Sequence, residues 1–471
     1  MTADRTGLSV RPVPGVPRPY TFPPFARERL SNGLACLLVD LPGRPLVSAS
    51  LVMRHGAVDE APGLGGATVL AARALAEGTE HFAAVELVEA AERLGASLHA
   101  EAGWDATTAG IDVPSERLGP ALELLAELVR RPTFPEADVE RLRDERLNDI
   151  LQARADPRRR AEEAFTETIY AEGVPYRRPA GGLPETVRGL DRDALSATYA
   201  AGIDPAMMAL VVGGDLTGLD VVALAEPLFG DWVASPAPQP SAQPVVESAV
   251  TERLVRIVHR PGAVQTEIRI GHIGLPRRID DYHAVVVMTT LLGGLFNSRL
   301  NSKLREEKGY TYGASASFDM RRGAGPFGAR AAVNTDATAP AVVDTLAELR
   351  RIVDEPVTPA ELAASRDFLV GVFPLRFETP GPVVGSLAGL VVQGLPDDEL
   401  QRYRPAVEAV TVEDVLAAAR AHVHPERAAV VLVGDADAIA KPMEEAGVGP
   451  VVVDREDASE VPAAMGEAAA G

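Results

Sequence analysis

At 471 residues the chain is too long for one ordinary hydrophobic core, so the sequence predicts about two to four domains. Its formal net charge of −21 argues against nucleic acid or an anionic membrane surface as a partner. The single cysteine, Cys36, excludes an intrachain disulfide, and its apolar neighbours indicate a buried thiol.

The N-terminal residues 1–26 are rich in proline and are expected to run as an extended arm along the surface. They lack the apolar segment of a secretory signal, and no apolar run in the sequence reaches membrane-spanning length. We therefore expect a soluble, cytoplasmic protein.

Strands and helices alternate through residues 27–234, the first predicted half. Two strands over 34–40 and 46–55, joined by the Pro42-Gly43 turn, are typical of a hairpin. A helix is predicted over 67–76 and a strand pair around Gly103. The apolar run 208–212 then predicts a buried strand that ends at Gly213-Gly214-Asp215.

The same order of elements returns in residues 249–437, after a Pro-rich linker at 235–248. Four landmarks repeat at a spacing of about 220 residues: Val39-Asp40 with Val258-His259, Ala126-Glu127-Leu128 with Ala347-Glu348-Leu349, Pro135 with Pro359, and Asp215 with Asp435. The sequence therefore predicts an α+β protein built as a tandem duplication of two homologous α/β sandwich halves. Residues 438–471 are predicted to form an acidic, alanine-rich tail.

The segment 299–317 carries the most informative pattern in the second half. A helix bearing Arg305 is stopped by Gly309, and the alternation from Tyr310 through Tyr312 predicts a strand. A guanidinium near a helix end and a phenol just inside a strand can serve one cavity. The alternative is a surface arginine in a charged turn beside a half-buried tyrosine.

This segment resembles the C-terminal half of the insulinase/pitrilysin group of zinc metallopeptidases (family M16), which includes the mitochondrial processing peptidase. The resemblance rests on Leu304-Arg305-Glu306, Gly309, Tyr312, the preceding Gly293-Gly294 and Ser298-Arg299-Leu300. In that family the arginine and the tyrosine belong to the half that holds substrate, opposite the half that holds zinc. The resemblance implies the fold of one half of a peptidase clamshell.

The zinc motif of that family, His-x-x-Glu-His on a helix, is missing here. The corresponding region runs from Gly63 to Thr79 and contains no histidine. Counting back from Gly78-Thr79 places Val69 and Arg73 at the ligand positions and Ala72 at the position of the general base. The third ligand position falls near Leu142, with Glu140 as a neighbouring carboxylate that leaves residual metal affinity open.

Other catalytic patterns are absent from the sequence. His422 and His424 are close together, but no cysteine or acidic residue lies at metal-ligand spacing, and we expect a loop or half-buried pair. The sequence has neither a Gly-x-Ser-x-Gly elbow nor a phosphate-binding Gly-x-x-x-x-Gly-Lys loop. A self-sufficient hydrolase is therefore the least favoured interpretation.

The resemblance implies a non-catalytic, substrate-binding subunit of a two-component zinc peptidase. It would contribute Arg305 and Tyr312, with Tyr310 as the second candidate for the tyrosine role, and would bind peptide partly by adding it to a sheet edge. No cofactor is expected in this chain. Zinc is expected in a His-x-x-Glu-His partner, within a heterodimer or heterotetramer. The alternative is an inert structural or peptide-binding scaffold of the same fold.

Overall fold

A computed structural model of the chain describes residue 15, residues 18–233 and residues 244–455. Within these residues, twelve strands form two six-stranded sheets. The strands are β1 (Ala26–Arg29), β2 (Ala35–Asp40), β3 (Leu46–Met53), β4 (Ser97–Ala102), β5 (Thr107–Pro114), β6 (Met208–Gly214), β7 (Val255–His259), β8 (Gln265–Ile273), β9 (Ala314–Phe318), β10 (Pro326–Asn334), β11 (Ala429–Gly434) and β12 (Val451–Asp454).

The helices pack on both faces of these sheets. They are α1 (Ala67–Ala74), α2 (Ala84–Arg93), α3 (Leu118–Arg130), α4 (Glu136–Ala155), α5 (Pro157–Ile169), α6 (Pro184–Val187), α7 (Arg192–Ala201), α8 (Val221–Phe229), α9 (Tyr282–Thr289), α10 (Arg299–Asn301), α11 (Thr338–Asp354), α12 (Pro359–Val372), α13 (Pro380–Gln393), α14 (Glu399–Ala409), α15 (Val412–His422) and α16 (Ala436–Ala446). Two further segments, Thr290–Gly294 and Ser302–Glu307, are π-helical.

The two sheets share one topology, which confirms the predicted duplication. The strand order β2-β6-β3-β5-β4 in the first half matches β7-β11-β8-β10-β9 in the second. In both, the first pair is parallel and the remaining pairs are antiparallel. Only the sixth strand differs, because β1 joins antiparallel to β2 whereas β12 joins parallel to β7.

The predicted hairpin at the Pro42-Gly43 turn is wrong. β2 and β3 follow each other along the chain, but β6 lies between them in the sheet. The run that ends at Gly214 is fully buried, so it takes the central position and pairs with both neighbours. The hairpin in this region is instead β1–β2, across the Asn32-Gly33 turn.

Corresponding helices of the two halves are exchanged across their junction. α5, from the first half, packs on β8 and β11 of the second sheet, with Phe165 and Ile169 buried against Val431 and Val433. α13, its counterpart, packs on β3 and β6 of the first sheet through Val383, Leu387 and neighbouring residues. Each sheet is thus covered on one face by a helix of the other half, and apolar burial holds the halves together.

A buried ion pair adds to this junction. Arg322 Nη2 lies 2.5 Å from Asp59 Oδ1, and the side chains are 8% and 3% exposed. Tyr176 Oη donates to Asp105 Oδ1 at 3.3 Å and accepts from the backbone N–H of Gly323 at 3.1 Å. Asp59, Asp105 and Tyr176 come from the first half, so this contact fixes the loop before β10 against it.

The described part of the N-terminal arm follows the junction. Phe22 is buried beside Val383 and Leu387, and Tyr20 stacks on Phe377 at 6.3 Å.

The predicted start of the tail at residue 438 is too early, because α16 and β12 belong to the second half. Residues 235–243 of the predicted linker and 456–471 of the tail lie outside the described residues. Among the helices described, none combines the length and apolarity needed to cross a bilayer.

Candidate functional site

Arg305 lies in an unusual stretch of helix. Its segment, Ser302–Glu307, is π-helical, and so is Thr290–Gly294 a short distance before it. π-Helical turns are rare and occur frequently at functional sites. These two π-helical segments lie on either side of one loop, which makes the loop a candidate functional element. Phe296 in this loop has 68% of its surface exposed.

The guanidinium of Arg305 is held at the surface by stacking. Its Cζ lies 4.2 Å from the centre of the Phe296 ring, and its Nε lies 3.5 Å from Glu306 Oε1. A third of the side chain is exposed. A cation–π contact orients the planar guanidinium and leaves its N–H groups able to donate to an incoming acceptor.

Tyr312 is 95% exposed and lies before the strand, so its predicted place inside β9 is wrong. Gly309, with φ of 66°, ends the helix. The hydroxyl of Thr311 then donates to the carbonyl of Gly313 and accepts its N–H, at 2.9 and 3.1 Å. Such a local side-chain turn competes with strand pairing, which therefore begins only at Ala314. The phenol of Tyr312 projects from this turn.

Tyr310 occupies a different environment from Tyr312. Its ring is partly buried against the core of the second half, and its N–H donates to the carbonyl of Leu304 at 2.9 Å. Tyr310 is the second candidate for the tyrosine role only if it shares one continuous strand with Tyr312, and the turn at Thr311 breaks that strand. Of the two, Tyr312 is the one whose ring is exposed to solvent.

The strand that follows this turn is an edge strand. β9 pairs with β10 on one side and ends the sheet order on the other. Its buried face carries Ala314 and Ala316, and Gly293 packs closely there: a Cβ on Gly293 would lie 2.1 Å from the backbone N of Ala316. Small residues on both elements thus bring the glycine-rich π-helical turn onto β9, next to the loop that carries Tyr312.

The degenerate zinc positions lie on α1. Ala72 is buried, while Arg73 is exposed and contacts two carboxylates of α4, Glu145 at 3.3 Å and Asp149 at 3.6 Å. Neither Val69 nor Ala72 has a side-chain atom that can bind a metal, and the guanidinium of Arg73 stays protonated. The residues at this position of the fold therefore do not fit a zinc ion.

The third ligand position is predicted near Leu142, with Glu140 as a neighbouring carboxylate. Leu142 is buried in the core of the first half, and Glu140 is exposed. The carboxylates of α4 that face α1 are Glu145 and Asp149, one and two turns further along. A count made along a helix without its partner could not identify which turn faces α1.

A buried carboxylate that the sequence analysis missed holds the start of α1. Glu60 accepts the N–H groups of Gly66 and Thr68 at 3.1 and 2.8 Å, and pairs with Arg178 at 2.5 Å. Burial raises the pKa of Glu60, while Arg178 opposes the shift. The Gly63–Gly66 loop before α1 is thus tied to Arg178 of the same half.

Four histidines elsewhere in the described chain have structural partners. His422 Nε2 lies 2.7 Å from Asp281 Oδ2, and the N–H of His424 donates to Nε2 of His272 at 3.0 Å. His259, Asp435 and Asp437 form a cluster with metal-like spacing. The ligand atoms of this cluster already have partners within the protein. His259 Nδ1 accepts the N–H of Ala436, Asp435 caps α16, and Asp437 pairs with Arg455.

Comparison with known proteins agrees with this architecture. A family model described as Insulinase (Peptidase family M16) matches residues 36–178, and one described as Peptidase M16 inactive domain matches residues 189–369. A solved structure titled as a peptidase M16 inactive domain from Pseudomonas fluorescens superposes with a TM-score of 0.80 at 24% identity, over 87% of this chain and 98% of that one. A protease structure from Helicobacter pylori gives the same TM-score at 19% identity, over 87% and 99%.

Sequence relatives extend along most of the chain. An uncharacterized zinc protease of Streptomyces coelicolor is 25% identical over 403 residues, which cover 84% of this chain and 86% of the relative. A protein of Helicobacter pylori named a non-peptidase homolog, YmxG, is 23% identical over 369 residues, which cover 76% and 82%. The two family matches together span more than half of the chain, in the order of the two structural halves. The chain belongs to the M16 (insulinase) family.

Proposed function

We propose that this chain is the non-catalytic, substrate-binding subunit of a two-component zinc peptidase. Its partner is a separate polypeptide of the same fold that carries His-x-x-Glu-His, and the two form a heterodimer or heterotetramer around a peptide. The partner supplies the zinc ion and the activated water. This chain supplies donors that hold the peptide and stabilise charge on the carbonyl that is attacked.

The exposure of Arg305 and Tyr312 beside an edge strand is the observation that carries this proposal. A tyrosine with 95% of its surface exposed adds little to the stability of its own chain, so the fold does not explain its presence. Arg305, in the π-helical segment just before this turn, is held by stacking on Phe296, and the turn leads directly into β9. These are the components needed to bind an extended peptide: a strand edge for its backbone and two donors for its carbonyl groups.

The roles follow from the chemistry of the two donors. The guanidinium of Arg305 binds a backbone carbonyl next to the scissile bond, and the phenol of Tyr312 donates to the scissile carbonyl as it becomes an oxyanion. The loss of one such donor typically costs about 10²–10³ in turnover, or roughly 3–4 kcal/mol. Tyr312→Phe removes only the hydroxyl of an exposed ring, so the fold and the assembly with the partner stay intact.

The second candidate function is an inert scaffold or peptide-binding protein. Two observations favour it: a relative is named a non-peptidase homolog, and the zinc positions of α1 are filled by Val69, Ala72 and Arg73. In this case Arg305 and Tyr312 are ordinary surface residues, and their replacement changes no reaction.

Reconstitution distinguishes the two functions. Peptidase activity is measured with a mixed peptide set for this chain, for a zinc-motif partner from the same genome, and for the mixture, and association is followed by gel filtration. The proposal predicts that only the mixture is active, and that Arg305→Ala and Tyr312→Phe lose most turnover while still associating. Lys308→Ala and Tyr310→Phe, in the same segment, are the matched controls and keep it. A partner that is equally active alone, or site variants that behave like the controls, refutes the proposal.

A further inference from the structure

A cleft of about 840 Å³ opens where the two halves meet. Residues from both halves line it, and five of them are arginines: Arg54, Arg277, Arg278, Arg322 and Arg402. Its volume lies in the range of small-molecule sites. A basic cleft stands out in a chain whose formal net charge is −21.

Three of these arginines have carboxylate partners. Arg277 pairs with Glu399 at 2.7 Å and Arg402 pairs with Glu399 and Asp398 at 3.2 Å. Arg322 pairs with Asp59, as described above. Their charges are therefore matched by the protein itself.

Arg54 and Arg278 differ, because neither has an ion pair or side-chain hydrogen bond among residues 18–233 and 244–455. Arg54 comes directly after β3, close to the Asp59–Arg322 pair. Burial, followed by the positive charge of Arg322, lowers the pKa of Arg54. Asp105, the other carboxylate of this corner, accepts the backbone N–H of Arg322 and the side-chain amide of Gln393. The guanidinium of Arg54 therefore shares Asp59 with Arg322 and forms no ion pair of its own among the described residues.

Two buried donors in this corner also lack a hydrogen-bond partner. The Nε atoms of Arg54 and Arg322 are both buried and have no acceptor among the described residues. Arg322 as a whole is only 8% exposed. A buried donor without an acceptor costs free energy, and a water molecule supplies an acceptor but no negative charge. An anionic group supplies both.

The remaining wall carries two acidic residues, Asp280 and Glu399, and an apolar part. Met207, Ile279 and Leu395 line it alongside the arginines. These side chains offer apolar surface to the part of a ligand that lies away from its charged group. The cleft thus combines a cationic corner with an apolar wall, as sites for amphiphilic small molecules do.

We propose that this cleft binds a small organic anion that carries one carboxylate or phosphate group on a hydrocarbon body. The anionic group lies against Arg54 and Arg322, Arg278 closes over it from the exposed rim, and the hydrocarbon packs on Met207, Ile279 and Leu395. No residue from Arg305 to Tyr312 lines this cleft. The inference is therefore independent of the proposed peptidase role.

Matched ligands test this assignment on the full chain. Hexanoate and hexyl phosphate share one hydrocarbon body and differ in the acidic group, and hexanol is the neutral control. Each is titrated by calorimetry and in thermal unfolding, with sodium chloride holding the ionic strength constant. We expect at least one anion to bind with one site per chain and raise the melting temperature, with no effect of hexanol. The anion that binds more tightly identifies the acidic group.

Variants locate the site. Arg54→Gln and Arg278→Gln should each weaken binding about ten-fold or more, because each removes a charged donor. Arg44→Gln makes the same charge change in the exposed turn before β3, where Arg44 has no ion pair among the described residues, and should bind like the wild type. Without ligand, Arg54→Gln should melt at or above the wild-type temperature, since it removes a half-buried charge that has no ion pair among the described residues. Arg278 is exposed, so its variant reports on binding even if Arg54→Gln unfolds.

Three results would overturn the proposal. The first is that neither anion binds at concentrations up to about 10 mM, well above the roughly millimolar affinity of a single weak contact. The second is stabilisation by hexanol equal to that by the anions. The third is equal binding by the Arg54, Arg278 and Arg44 variants.

Discussion

The guanidinium of Arg73 on α1 lies 3.3 Å from the carboxylate of Glu145 on α4. α1 is the helix that corresponds to the zinc-motif helix of catalytic family members. Asp149, one turn further along α4, also contacts Arg73 at 3.6 Å. A side-chain cation therefore joins α1 and α4 at this place in the fold. Glu145 and Asp149 thus face α1, whose residues Val69, Ala72 and Arg73 offer no side-chain atom that binds a metal.

Histidines placed on α1 should therefore create a zinc site. Val69→His combined with Arg73→His puts two imidazoles at i and i+4 on the face of α1 beside Glu145 and Asp149. We expect this double variant to bind one zinc ion per chain at neutral pH, measured by competition with a chromogenic chelator. Adding Asp149→Asn and Glu145→Gln should weaken that binding. If the double variant binds no more zinc than the wild type, α1 and α4 are not placed as described.

Adjacent glycines in the π-helical turn should respond differently to alanine. A Cβ on Gly293 meets the backbone of Ala316 at 2.1 Å, while the nearest atom to a Cβ on Gly294 is 3.5 Å away. Gly293→Ala should lower the free energy of unfolding by about 2 kcal/mol or more, and Gly294→Ala should change it by less than about 0.5 kcal/mol. Urea denaturation of both variants measures this, and equal effects would contradict the close packing on β9.

Two ion pairs that join the halves should differ in their contribution to stability. Asp59→Asn leaves the buried guanidinium of Arg322 without its carboxylate and should cost about 3–5 kcal/mol. Asp397→Asn breaks the pair with Arg27, whose side chains are 34% and 51% exposed, and should cost about 0–1 kcal/mol. Chemical denaturation of both variants tests the contrast. A small effect of Asp59→Asn would show that the Asp59–Arg322 pair is accessible to water.

His272 should make the protein sensitive to mild acid. Burial lowers the pKa of His272 to about 4, and the ring is hydrogen-bonded as a neutral imidazole, with Nε2 accepting the N–H of His424. The unfolded chain takes up this proton near pH 6.5, so the free energy of unfolding falls as the pH drops from about 6.5 to 4, by on the order of 3 kcal/mol.

The slope of stability against pH isolates this effect. His272→Gln should be less stable at neutral pH but should lose less stability between pH 6.5 and 4 than the wild type does. His99→Gln, at an exposed position of β4, is the control and should keep the wild-type slope. Equal slopes for the wild type and the His272 variant would refute the titration of this histidine in the folded state.

The duplication was predictable because it depends on order along the chain. Val39-Asp40 and Val258-His259 end β2 and β7, which occupy the same place in the two sheets. The hairpin was not predictable, since nothing in residues 34–55 reveals that β6, more than 150 residues later, inserts between β2 and β3. The strand assignment of Tyr312 was wrong for a local reason. The segment has strand propensity, but the hydroxyl of Thr311 forms a turn with Gly313 before strand pairing begins.

By itself, the sequence determined the fold family and the absence of zinc ligands on α1, because both depend on which residue types occur at which spacing. Tertiary structure alone decided the exchange of α5 and α13, the pairing of Asp59 with Arg322, and the arginine-lined cleft between the halves. These features join residues that are far apart in the chain. Which residues meet depends on how the apolar faces of the two sheets are buried against each other. The local residue pattern of either half does not specify that arrangement.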